Sequence, residues 1–108
     1  MLNELRDDVH KNAVKHGWWD EERSFGEIIA LCHSELSEAL EEYRAGHEPQ
    51  EVYYPDGRKP EGVAIELADC IIRILDYCGA QGIDVDEAIR VKHEYNRGRS
   101  YRHGGKRI

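Results

Sequence analysis

No stretch of this chain approaches the roughly 18 consecutive apolar residues of a membrane-spanning helix, so nothing in it is expected to cross a bilayer. Its N-terminus, MLNELRDDVHK, is charged throughout and lacks the apolar core of a secretory signal, which predicts a cytoplasmic protein. Cysteine is scarce. Cys32, Cys70 and Cys78 are odd in number, lack CxxC spacing and sit in apolar helical runs. They read as small buried hydrophobes in a reducing compartment, not as a metal or redox site. There is no convincing strand pattern, no internal repeat and no linker. Residues 1–108 therefore read as one domain. A helical chain of this size can bury a core alone but gains from association.

Charge is abundant and uneven. The net charge is −7, yet residues 89–108 carry seven Lys and Arg against Glu94 alone, a balance of +6 that leaves −13 for the first 88. An acidic body with a basic tail (about 97–108) suits a site that holds a cation and a polyanion together, and equally a tail that touches RNA.

Hydrophobic spacing predicts four helices. The first covers about 2–16, with Leu2, Leu5, Val9 and Ala13 on one face, and stops at Gly17. The second opens at Ser24, where Ser24-Phe-Gly-Glu27 is a capping box, and closes near Arg44 or Ala45 before Gly46. Residues 47–59 form a loop, long enough to act as a lid. The third helix is expected to begin at Pro60, a residue suited to a first helical position, and to end near Gly79. Asp84-Val-Asp-Glu87 opens a fourth that reaches about Asn96.

The third helix carries the sharpest signal. On a helical wheel its apolar residues cover roughly 220°, wider than an ordinary surface helix needs, which predicts neighbours on most sides. Glu66, Asp69, Arg73 and Asp76 share the remaining sector, about 80° wide. On the second helix Glu35 borders the apolar face, Glu42 lies within about 20° of it and Glu38 about 60° away. Two helices joined by a loop usually pack antiparallel, so each brings an i, i+3 acidic pair into one cleft. Carboxylates at such range repel unless protonated or neutralised by cations. Hard oxygen donors select Mg²⁺, Mn²⁺ or Ca²⁺, and no Cys or His is spaced with them to favour zinc. A di-iron bundle needs two Glu-x-x-His motifs; the nearest approach, Asp7-x-x-His10, stands alone.

Glu35-Leu-Ser-Glu38, a gap of 27 residues, Glu66-Leu-Ala-Asp69 and then Lys92-His-Glu-Tyr95-Asn96 together resemble the ExxE…ExxD signature of MazG-like nucleoside triphosphate pyrophosphohydrolases, in the all-α NTP pyrophosphatase superfamily. The resemblance covers about residues 24–103. It implies a four-helix MazG-like bundle completed by homo-oligomerisation, as a dimer or tetramer. It implies Mg²⁺, with Mn²⁺ an alternative, held by Glu35, Glu38, Glu66 and Asp69. It also implies an acid-anhydride hydrolase: water attacks the α-phosphorus of a nucleoside triphosphate, giving a monophosphate and pyrophosphate, in the removal of unwanted or excess nucleotides.

Elementary chemistry fits that activity. Phosphoanhydride hydrolysis needs charge neutralisation and an oriented water more than covalent help. Glu35 or Glu38 can take the water's proton. Lys92 and Asn96 are i, i+4 on the fourth helix and can meet phosphate oxygens, with Arg99 or Arg102 adding charge. Trp18 or Trp19 either stacks on a base or packs structurally. Asn12 and His16 can read base edges; His10 and His33 are expected to face solvent or local partners. Asp76 is expected to pair with Arg or Lys. Two other readings are a nucleotide-sensing module without turnover and a helical RNA-binding adaptor. The presence of all four acids favours the enzyme, with neither a membrane nor a nucleic-acid partner expected; the adaptor leaves the two acidic pairs unexplained.

Overall fold

The computed structural model describes residues 1–99 and Tyr101. Ser100 and residues 102–108, with them Arg102 and most of the expected basic tail, lie outside the described residues. Four helices follow in order: α1 (Leu2–Lys15), α2 (Phe25–Arg44), α3 (Val63–Gln81) and α4 (Val85–Arg97). Among the described residues there is no strand, only an isolated antiparallel bridge between Tyr53 and Glu61. No described helix is long and apolar enough to cross a membrane. The chain is all-helical, as its spacing predicts.

The ends of α2 follow the local signals. Ser24 Oγ accepts from the Glu27 amide at 3.1 Å, which satisfies a donor with no partner inside the helix. Gly46, at φ 97°, turns the chain away just past the last turn. The start of α3 differs from expectation by three residues. Glu61 is held extended by exchanging both backbone hydrogen bonds with Tyr53, at 2.8 and 3.0 Å, so Pro60 cannot open the helix. Gly62 then turns at φ 142°, where a Cβ would meet the Glu51 carbonyl oxygen. The far end runs past Gly79 to Gln81. There Gly82, at φ 68°, and the Ile83 amide, bonded to the Cys78 carbonyl at 2.9 Å, form a Schellman closure.

α3 packs against both α2 and α1, and α4 rests on α1. The α1–α4 junction is a reciprocal cap. Asp86 accepts from the Leu2 amide at 2.8 Å, while Asn3 Oδ1 accepts from the Val85 amide at 2.9 Å. The core comprises Ile28, Cys32, Ala39, Cys70, Leu75 and Val85. Cys32 and Cys70 are buried and unbridged, and burial raises the Cys32 thiol above its ordinary pKa, consistent with a packing role. The predicted encirclement of α3 is not met among the described residues of one chain: Leu67, Ile71, Ile72 and Ile74 stay exposed, because its main packing is against α1 and α2.

Gly79 permits the α1–α3 crossing. A Cβ there would lie 2.5 Å from His10 Cβ and 3.3 Å from the Arg6 carbonyl oxygen. Gly79→Val is therefore expected to destabilise the protein by about 1–3 kcal/mol through overpacking, read as a lower thermal midpoint. An unchanged midpoint would show that the helices can separate at no cost.

Candidate metal centre

Antiparallel packing of α2 on α3 brings the acidic pairs together. Glu35, Glu38 and Glu66 each offer a carboxylate oxygen, and these oxygens lie within 4.8 Å of one another. Two ligands on opposite sides of a magnesium-sized ion are about 4 Å apart, so a small side-chain adjustment suffices to share one cation. Every donor is a hard carboxylate oxygen, with no Cys or His among the three. Asp69, one turn beyond Glu66, borders the same space beside Glu35. Glu35 is buried at 7% exposure, Glu66 and Asp69 are half-buried, and Glu38 is exposed.

The electrostatics of the cluster are unfavourable without a cation. Burial, reinforced by hydrogen bonding to Glu35 and Glu38 and by repulsion from Glu38 and Asp69, pushes the Glu66 carboxyl up to about 8. Asp69 is also raised, first by burial and then by Glu35, while Arg73 and Lys59 pull it back. A raised carboxyl keeps its proton when folded but loses it when unfolded. The folded state thus binds more protons between pH 4.5 and about 8, and stability from this site falls as pH rises through that window. In a chelator-treated protein, Glu66→Gln is expected to raise the thermal midpoint more at pH 8 than at pH 5. An equal difference at both values would show that Glu66 is not strained.

Two cavities flank the cluster and share Glu35 and Asp69. The larger, about 490 Å³, is bordered by Asn12, Trp18, Ile72 and Arg73 among others. The second, about 410 Å³, is bordered by Glu38, Glu66, Glu42, Lys59 and Glu61 among others. The 47–59 segment forms a wall here. Tyr53 Oη donates to both Glu42 oxygens, at 2.7 and 2.9 Å, and its ring stacks on His47 with centroids 4.4 Å apart. That carboxylate pushes the Tyr53 hydroxyl up to about 12.

The tryptophans have separate places. Trp18 borders the larger cavity, with the Arg23 guanidinium 3.8 Å from its ring centroid. Trp19 Nε1 donates to Asp76 Oδ1 at 2.9 Å. His10 Nδ1 meets the same oxygen at 2.8 Å. Two expectations are thereby corrected. Asp76 takes Trp19 and His10 in place of an Arg or Lys, and His10 pairs across the fold, because the α1–α3 crossing at Gly79 brings them face to face. His33 is exposed as expected, Asn12 borders the larger cavity, and His16 bonds the Asn12 carbonyl in its own last turn.

Lys92 and Asn96 are exposed on α4, and Arg99 follows the helix; none of the three borders either cavity. Lys92 Nζ instead lies 4.8 Å from the Tyr95 ring centroid. Within one chain the structure therefore gathers the four acids, with Trp18 on a cavity shared by Glu35 and Asp69, but does not bring these three residues to them. Sequence reasoning gave no role to Arg73, whose Nε donates to Glu35 Oε1 at 3.1 Å. Its shared sector with Glu66 and Asp69 was the available signal. Lys59, a cation bordering the acidic cavity, had no periodic signal because it lies in a loop. No family model, curated protein or solved structure matches this chain.

Proposed function

We propose that the protein is a Mg²⁺-dependent nucleoside triphosphate pyrophosphohydrolase of the MazG-like kind. The observation that carries this reading is the convergence of three carboxylate oxygens, with Asp69 beside them, between two cavities large enough for a nucleotide's parts. Glu35, Glu38, Glu66 and Asp69 would hold the ion, which supplies charge neutralisation and water activation when bound. Glu38, exposed at the mouth of the cluster, can accept the attacking water's proton, as can Glu35. Trp18 offers an aromatic surface for the base, a short distance from the acids.

Assembly belongs to the same proposal. Among the described residues, apolar rows are exposed: Leu36, Leu40 and Tyr43 on α2, and Leu67, Ile71 and Ile74 on α3. A homodimer or tetramer would cover these rows and can bring Lys92, Asn96 and Arg99 of one chain to the acids of another.

Incubation with a panel of NTPs and dNTPs, with and without Mg²⁺, tests the reading. The expected products are a nucleoside monophosphate and pyrophosphate, in the presence of the ion alone. Tight binding without turnover would support a sensor instead, and binding of polynucleotide alone would support the adaptor.

A further inference from the structure

Arg73 borders the larger cavity beside Glu35 and Asp69. It follows Asp69 by one turn of α3, and its Nε donates to Glu35 Oε1 at 3.1 Å. The carboxylate it meets is buried, yet the Arg73 side chain keeps 31% of its surface open. Its guanidinium carbon lies 5.4 Å from the Trp18 ring centroid, and Arg73 borders the same cavity as Trp18. A guanidinium has five N–H donors arranged as a fork. Among the described residues Arg73 uses one, in the bond to Glu35. The two terminal amino groups, which form half of any bidentate grip on an oxyanion, hold no protein partner among those residues.

A guanidinium that serves only to hold a carboxylate does so best through two parallel bonds. Among the described residues Arg73 makes one. Glu35 is also a carboxylate that a cation in the cluster would require, so Arg73 and that cation compete for it. We infer that Arg73 alternates between two partners: Glu35 when the cluster has no divalent cation, and a phosphoryl oxygen of the nucleotide when cation and ligand are both present. The oxygen in question is that of the phosphate joined to the nucleoside, because Arg73 borders the cavity that Trp18 shares with Glu35 and Asp69. This inference rests on reading the acids as a cation site.

The two partners give opposite signs in binding, which a purely structural role would not. Arg73→Gln keeps a polar side chain but removes the charge. Titration calorimetry with Mn²⁺ alone is expected to show tighter binding to Arg73→Gln than to wild type, by about tenfold, because Glu35 has lost its competitor. With Mn²⁺ saturating, the α,β-imido analogues of the ribo- and deoxyribonucleoside triphosphates should bind Arg73→Gln about tenfold or more weakly. Arg73→Lys, which retains charge without the fork, should fall between the two in both titrations. Circular dichroism on each variant confirms that the helices are retained. Weaker binding of both Mn²⁺ and analogue, or analogue affinity unchanged in Arg73→Gln, would overturn the inference while leaving the cation site standing. Wild type that binds no Mn²⁺ would overturn the cation site and the inference with it.

Discussion

Asp69→Asn and Glu38→Gln are each expected to reduce Mg²⁺-dependent triphosphate hydrolysis by about 10³-fold, close to abolition, with helix content unchanged. Each replacement keeps the shape of the side chain and removes one negative charge. Glu38 is exposed, and Asp69 is half-buried with its pKa raised, so neither change removes a stabilising ion pair from the metal-free protein. The repulsion that raises Glu66 should in fact decline. The loss therefore falls on cation affinity and on the placement of the water, not on the fold. Pyrophosphate release together with far-UV circular dichroism checks this. Full activity in either variant would remove that residue from the centre.

The second large effect is on assembly. Ile71 is 53% exposed on α3, within the row Leu67, Ile71 and Ile74. An aspartate there would be well solvated in a single chain. In an interface it would be a buried, unpaired charge, destabilising by about 3–5 kcal/mol, or more than a hundredfold in dissociation constant. Wild type is accordingly expected to sediment as a dimer or larger at micromolar concentration. Ile71→Asp should sediment as a helical monomer with little hydrolytic activity, since Lys92, Asn96 and Arg99 border neither cavity of their own chain. A stable wild-type monomer would contradict the proposal.

What the sequence makes legible is what short-range periodicity controls. Ser24 and Gly46 bound α2 because a cap and a left-handed glycine act within one turn. The acidic pairs are legible because i, i+3 spacing places each pair on one helix face and a loop brings the two helices together. The start of α3 is not, because the Tyr53–Glu61 pairing across the loop overrides the local preference of Pro60. The Arg73–Glu35 bond and the His10–Asp76–Trp19 node join residues 38, 66 and 57 positions apart, and no periodicity encodes such partners. The same holds for α4: its face is readable, but its seat on α1 depends on Asn3 and Asp86, which cap one another's helices.

Hydrolysis in ¹⁸O-enriched water shows whether these carboxylates serve attack of water at the phosphorus nearest the nucleoside. With Mg²⁺ present, label is expected in the nucleoside monophosphate and none in the pyrophosphate. Label in the pyrophosphate, release of orthophosphate with a nucleoside diphosphate, or recovery of intact triphosphate across the whole panel would contradict it.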